Sequence, residues 1–197
     1  MIDLGRVDVN RPIDITALCN SQLIKVDREL NQYGIHLTDE GADVFDAKVF
    51  LEVQWVDEVA VAAIEKSGSL VRSRYYDPKS LSAAINPAKF FGFGKPIPTC
   101  KTPTVDVLEY YSGARGRGYL ADTSEIEKDK IEMAQKYGYS IPELCDRVQQ
   151  LAMESKNELQ IFYGLQPGWI VNLADKEILK PVDPELQKLY NTNSVLV

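Results

Sequence analysis

The spacing of apolar positions along this chain changes its period near residue 57. Before that point Val49, Leu51, Val53 and Trp55 alternate with Lys48, Phe50, Glu52 and Gln54, the period of two expected of a half-buried strand. Together with the run "GIHL" this predicts two strands around a turn at Asp39-Glu40-Gly41. After it Val56, Val59, Ala60, Ala63 and Ile64 fall at i, i+3, i+4, i+7 and i+8, one apolar stripe on a helix. Asp57 and Glu58 in the first turn and Lys66 in the last complement the helix dipole. Gly68 suits the left-handed position that ends a helix. The period then returns to two in "LVRSRYY", with Arg72 and Arg74 on one strand face and Val71, Ser73 and Tyr75 on the other.

Elsewhere the pattern is less regular. Asp14 is placed to cap a short helical turn, and "QLIKVDRELNQYG" ends at Gly34, a stop signal. "FFGFGKPIPTCKTPT" is rich in Gly and Pro and reads as a loop or extended arm. Helices are predicted at "VDVLEYYS", at "SEIEKDKIEMAQKYG" with a capping box from Ser124 to Glu127, at "IPELCDRVQQLAMES" and at "DPELQKLY". "LQIFYGLQPGWIVNLADKEILKP" offers short strand-like runs around a Pro-Gly turn.

A chain of 197 residues, 45% hydrophobic and 26% charged, has room for one domain with its own core and an appended lobe. No apolar run approaches membrane-spanning length. The net charge of −7 argues against non-specific coating of nucleic acid. The charge is segregated, however. From Lys66 to Arg117 nine cations face three acids, a net of +6, which leaves −13 on the rest. A basic window in an acidic chain points to a defined polyanion contact.

Cys19, Cys100 and Cys145 lie far apart with no CxxC spacing, which fits neither a zinc site nor a disulfide framework and implies a reducing compartment. "MIDLGRVDVN" has no apolar signal region, and Asp3 and Asp8 are wrong for an Arg-rich transit peptide. Either no presequence is needed or the chain begins downstream of one.

Catalytic patterns fail on inspection. The single histidine, His36, sits in a strand, where a surface imidazole is the simpler reading than a triad member. "GFGKP" lacks the GxxxxGK[ST] spacing, and Pro96 removes a backbone N–H from any phosphate cradle. The carboxylate pairs Asp39/Glu40 and Asp43/Asp46 lack the further ligands and spacing of a calcium loop. No catalytic residue, metal ligand or cofactor is implied.

Nucleic-acid contact is better supported. "SGARGRGYL" sets Arg115 and Arg117 among glycines beside Tyr110, Tyr111 and Tyr119, where guanidiniums can fork onto phosphates and rings can stack on unpaired bases. These arginines are the first candidates, followed by Arg72 and Arg74, then by Lys89, Lys95 and Lys101. Phe90, Phe91 and Phe93 read first as caps on a hydrophobic core and second as base-stacking rings. Trp55 and Trp169 read as core or interface anchors.

The order of these pieces resembles a known family. "YGIHLTDEGADVFDAKVFLEVQWVDEVAVAAIEKSGSLVRSRYYDPKSL" is similar to the C-terminal domain of ribosomal protein fifteen of the large subunit. Ala63, Ile64, Glu65 and Gly68 match its Ala-Ile-Glu-x-x-Gly-Gly-like segment, with Ser67 and Ser69 where the family often has glycine. "FFGFGKPIP", "RGYLADTSEIEKDKIEMAQKYGY" and "QIFYGLQPGWIVNLADKEILKP" resemble the mitochondrial branch in animals. The resemblance implies an α/β fold, an irregular superhelix of β-β-α turns with an appended, mainly helical C-terminal lobe. Residues 1–87 would form the core domain and 88–197 the Pro/Gly-rich arm and C-terminal extension.

It also implies a structural, non-enzymatic role in the mitochondrial matrix ribosome. The partners would be large-subunit ribosomal RNA and neighbouring ribosomal proteins, with no membrane segment. The alternative is a protein–protein module with little RNA contact. The family's long basic N-terminal extension is missing here, so a fragment, a shortened product or one part of a split protein is expected. Without that extension the domain should bind isolated RNA weakly.

Overall fold

The computed structural model describes residues 1–191 and is mixed helix and strand. Helix α1 (Ile15–Asn20) starts at Asp14, whose carboxylate accepts from Ala17 N, as the sequence predicts. "QLIKVDRELNQYG" forms only a 3₁₀ turn at Arg28–Leu30, ended by Asn31 in the left-handed conformation. Strand β1 (His36–Leu37) is followed by β2 (Phe50–Val53) and β3 (Trp55–Val56), then by α2 (Glu58–Lys66) and β4 (Leu70–Ser73).

The two strands around the "DEG" turn are not a hairpin. β1 pairs in parallel with β3, and β2 pairs in parallel with β4, Leu51 opposite Val71 and Val53 opposite Ser73. α2 is the crossover that parallel pairing requires. Ile13 bridges Leu51 on the far side of β2, and Gly118 bridges Ser73 on the far side of β4. Four chain segments therefore stack side by side in one parallel ladder.

That stacking explains why β2 departs from the half-buried pattern. With neighbours on both edges and α2 above, Phe50, Glu52 and Val53 are all buried. The helix departs as well. Ala60, Val61, Ala62 and Ile64 are buried, while Val59 of the expected stripe is 42% exposed. Gly68 takes φ +79°, as its position after the helix predicts.

Helices α3 (Pro78–Ile85) and α4 (Pro87–Gly92) follow, capped by Asp77 and Asn86. The Gly/Pro-rich stretch is not a free arm. Its first residues end α4, and Ile97 and Cys100 are buried, with Ile97 N bonded to Trp169 O and Cys100 N to Leu159 O. α5 (Val105–Ser112) matches its predicted span. α6 (Thr123–Tyr137) is capped by Asp122 rather than Ser124 and ends at left-handed Gly138. α7 (Asp146–Met153) begins later than predicted, because Ile141 to Leu144 are not helical. Strands β5 (Ile170–Asn172) and β6 (Glu177–Leu179) pair antiparallel beyond the Pro-Gly turn, and α8 (Pro184–Asn191) closes the described chain.

The main apolar cluster joins Ile15, Tyr76 and Leu81 to Ile97, Ile161 and Phe162, so packing is continuous across residue 88. Each fully buried aliphatic side chain contributes roughly 1.5–3 kcal/mol. A second cluster packs α2 and β4 on Met133 of α6.

Beneath the ladder lies a charged centre. Lys156 Nζ is 2.5 Å from Glu52 and 3.3 Å from Asp14, donates to Tyr76 Oη at 2.7 Å and faces the Tyr163 ring at 4.4 Å. Burial works against the Glu52 charge, but the Lys156 ammonium and the Arg74 guanidinium outweigh it and hold that carboxyl below its usual range. Burial pushes Asp14 the other way, upward, against the pull of Lys156.

Candidate nucleic-acid interface

Strand β4 delivers its two arginines to different surroundings. Arg72 is partly buried, its guanidinium 5.3 Å from the centre of the Phe50 ring. Arg74 is 1% exposed. Its Nη2 donates to the carbonyls of Asn157, Glu158 and Gln160 at 2.5, 3.2 and 2.8 Å, and its charge sits 4.9 Å from the Tyr119 ring. Arg74 therefore ties the C-terminal segment to the ladder with donors that a phosphate would otherwise take.

Arg117 is also internal, at 2% exposure. Nε donates to Glu65 Oε1 at 2.6 Å, Nη2 to Glu65 Oε2 at 3.1 Å, and Nη1 to Asp129 at 2.5 Å and to Ala114 O at 2.7 Å. The bidentate fork onto Glu65 of α2 and the single bond to Asp129 of α6 together tie the two helices through Arg117. The flanking glycines serve the protein's own close contacts. A Cβ at Gly118 would fall 2.0 Å from Tyr111 O, and one at Gly116 would fall 2.8 Å from the Tyr110 ring. Tyr110 in turn stacks on Trp55 with ring centres 3.8 Å apart and planes within 8°.

The exposed cations lie elsewhere. Lys89, Lys95 and Lys101 are exposed, as is Lys79 at the start of α3. Between Asp77 and Asp106 the chain carries these four lysines and no acid. Asp77 itself is buried, accepting from Lys79 N, from Lys101 N and from the Ser80 hydroxyl. By charge count alone Lys79 is one more member of the basic window; the acid-free run is the signal that marks it. Arg115 is exposed but lies 4.0 Å from Glu58, which also pairs with Lys136.

The three phenylalanines divide. Phe90 and Phe91 pack toward Phe162, at 6.5 and 5.0 Å between ring centres. Phe93 is 63% exposed, with Lys95 Nζ 5.7 Å from its ring centre. His36 is a surface residue bonded to Asp57 at 2.7 Å. Among the described residues no group of three or more His, Cys, Asp or Glu is placed to hold a metal, and no helix is long and apolar enough to cross a membrane.

Comparison with known proteins gives this surface a context. The model of the family of ribosomal proteins 50S-L15 and 50S-L18e, with their 60S counterpart, matches residues 1–72. The large ribosomal subunit protein uL15m of Danio rerio is 47% identical over 193 residues, 98% of this chain and 65% of the relative. The protein of the same name from Neurospora crassa is 26% identical over 142 residues, 61% of this chain and 44% of the relative. The chain thus spans less than two thirds of the length of these curated relatives. Residues 1–72 thus match the model of the ribosomal L15 and L18e family, and nearly the whole chain is similar to the large ribosomal subunit protein uL15m.

Proposed function

We propose that the chain is a structural, non-enzymatic constituent of the large ribosomal subunit in the mitochondrial matrix, contacting ribosomal RNA and neighbouring ribosomal proteins. The likeness to uL15m over nearly the whole chain carries this reading. RNA contact is assigned to the exposed Lys79, Lys89, Lys95 and Lys101 on the acid-free run and to exposed Arg115, with the partly buried Arg72 beside them in sequence. Arg74 and Arg117 are assigned to the architecture that holds this surface. In that architecture β2, β3, α2 and β4 form a β-β-α turn of an irregular superhelix. Residues 1–87 act as the core domain and residues 88–197 as the arm and mainly helical extension, whose described part, to residue 191, packs against it.

A protein-facing surface is supported separately at the C-terminal end. Leu173, Ile178, Leu179 and Val182 are each 46–90% exposed, and exposed apolar side chains on this hairpin and after it suit a protein neighbour. The discriminating experiment replaces Lys89, Lys95 and Lys101 together by Glu and measures ultraviolet crosslinking to RNA in assembled subunits. Crosslinking severalfold below wild type, with unchanged thermal stability, is expected. Unchanged crosslinking would favour the module that contacts only proteins.

A further inference from the structure

We propose that Phe93 is a stacking element for an unpaired RNA base, with Lys95 neutralising an adjacent phosphate. The inference rests on the RNA-contact reading above and adds to it the kind of RNA recognised. Phe93 follows the last turn of α4, where its N–H donates to Phe90 O at 3.2 Å and the next N–H, that of Gly94, donates to Phe91 O at 3.0 Å. The tip is held to the helix at two points, so the ring is presented by a fixed backbone.

Gly92 and Gly94 flank it with open space around them, and Gly94 turns the chain at φ +62°. No neighbouring side chain in sequence crowds the phenyl, and its two companions Phe90 and Phe91 are committed to Phe162. The surrounding run from Pro78 to Val105 carries four lysines and no acid.

A large exposed ring on a lysine-bearing, acid-free run, with Lys95 Nζ 5.7 Å from its centre, complements a polyanion that also offers aromatic faces. Bases in a duplex are already stacked, so only a loop, bulge or single strand can present one. Stacking of this kind is tolerant of sequence.

The test uses the whole chain at low ionic strength with two probes, poly(U) and a fully paired RNA duplex of equal length. Phe93→Ala should weaken poly(U) binding about tenfold and leave duplex binding unchanged. Phe93→Trp should preserve binding, and its added indole emission, read against wild type, should be quenched by poly(U).

If Phe93→Ala changes neither affinity while joint replacement of Lys89, Lys95 and Lys101 by Glu lowers both, RNA contact stands and the stacking role is overturned. If poly(U) leaves the added indole emission unchanged while assembly into the subunit shifts it to the blue, the ring is a protein contact and the proposal is likewise overturned. If neither set of substitutions alters RNA binding, the underlying RNA reading fails together with it.

Discussion

Lys156 Nζ stands 2.5 Å from Oε1 of Glu52, and neither side chain reaches solvent. Glu52 lies on β2 and Lys156 beyond α7, so this one ion pair joins the central strand to the C-terminal segment. Asp14, at the start of α1, and the hydroxyls of Tyr76 and Tyr163 complete the surroundings.

Breaking this pair from one side leaves the other charge buried. Lys156→Met should cost about 3–5 kcal/mol in a urea titration, because Glu52 and Asp14 lose their shared cation. A loss below about 1 kcal/mol would mean that the centre is hydrated or rearranges freely.

The same centre sets an acid response with two opposed parts. The Glu52 carboxyl is held below its ordinary 4.5, so its stabilising effect is complete above that value and is lost as the pH falls through the lowered one. Asp14 is raised above 3.8, so its charge is a cost at neutral pH that is relieved as the pH falls through the raised value. Glu52→Gln should therefore be destabilised at pH 7 and approach wild type below pH 4.5. Asp14→Asn, which keeps an oxygen to cap α1, should remove the relief on acidification. Unfolding midpoints measured from pH 3 to 7 check both.

Arginines and lysines of the basic window should separate by assay. Arg74→Ala and Arg117→Ala leave buried carbonyls or Glu65 unpaired and should cost about 3 kcal/mol of stability or more. Lys89→Ala and Lys95→Ala, both exposed, should stay within about 0.5 kcal/mol of wild type while weakening RNA contact.

The glycines of "GARGRG" should behave unequally. At Gly118 an added methyl meets backbone of Tyr111, which cannot turn aside, so Gly118→Ala should cost about 2–3 kcal/mol. At Gly116 it meets the ring of Tyr110, which can shift. Gly116→Ala should cost less and reveal itself in the fluorescence of Trp55, the stacking partner of that ring.

Much of the fold is legible in the sequence where the signals are local. The start of α2 at Asp57, its stop at Gly68, the span of α5 and the cap at Asp14 each depend on residues within a few positions. What escapes is set by distant partners. Glu52 looks like a solvent position because the cation that buries it lies far downstream, and Arg74 looks free because its acceptors begin 83 positions away. β2 reads as half-buried because nothing in its own pattern reveals Ile13 and β4 on its two edges. The glycines beside Arg115 and Arg117 suggest a flexible loop, whereas tertiary contact requires them for close packing. The exposure of Lys79, Lys89, Lys95 and Lys101 is legible, since a lysine-bearing run without acids is visible in sequence alone.

Membership of a large ribosomal subunit is open to test by sedimentation. A lysate of mitochondria from cells expressing the tagged, complete gene product is resolved on a density gradient, with the large subunit located by its ribosomal RNA. Co-migration with that subunit, resistant to moderate salt, is expected. A tagged protein that stays at the top of the gradient while the subunit is intact would contradict it.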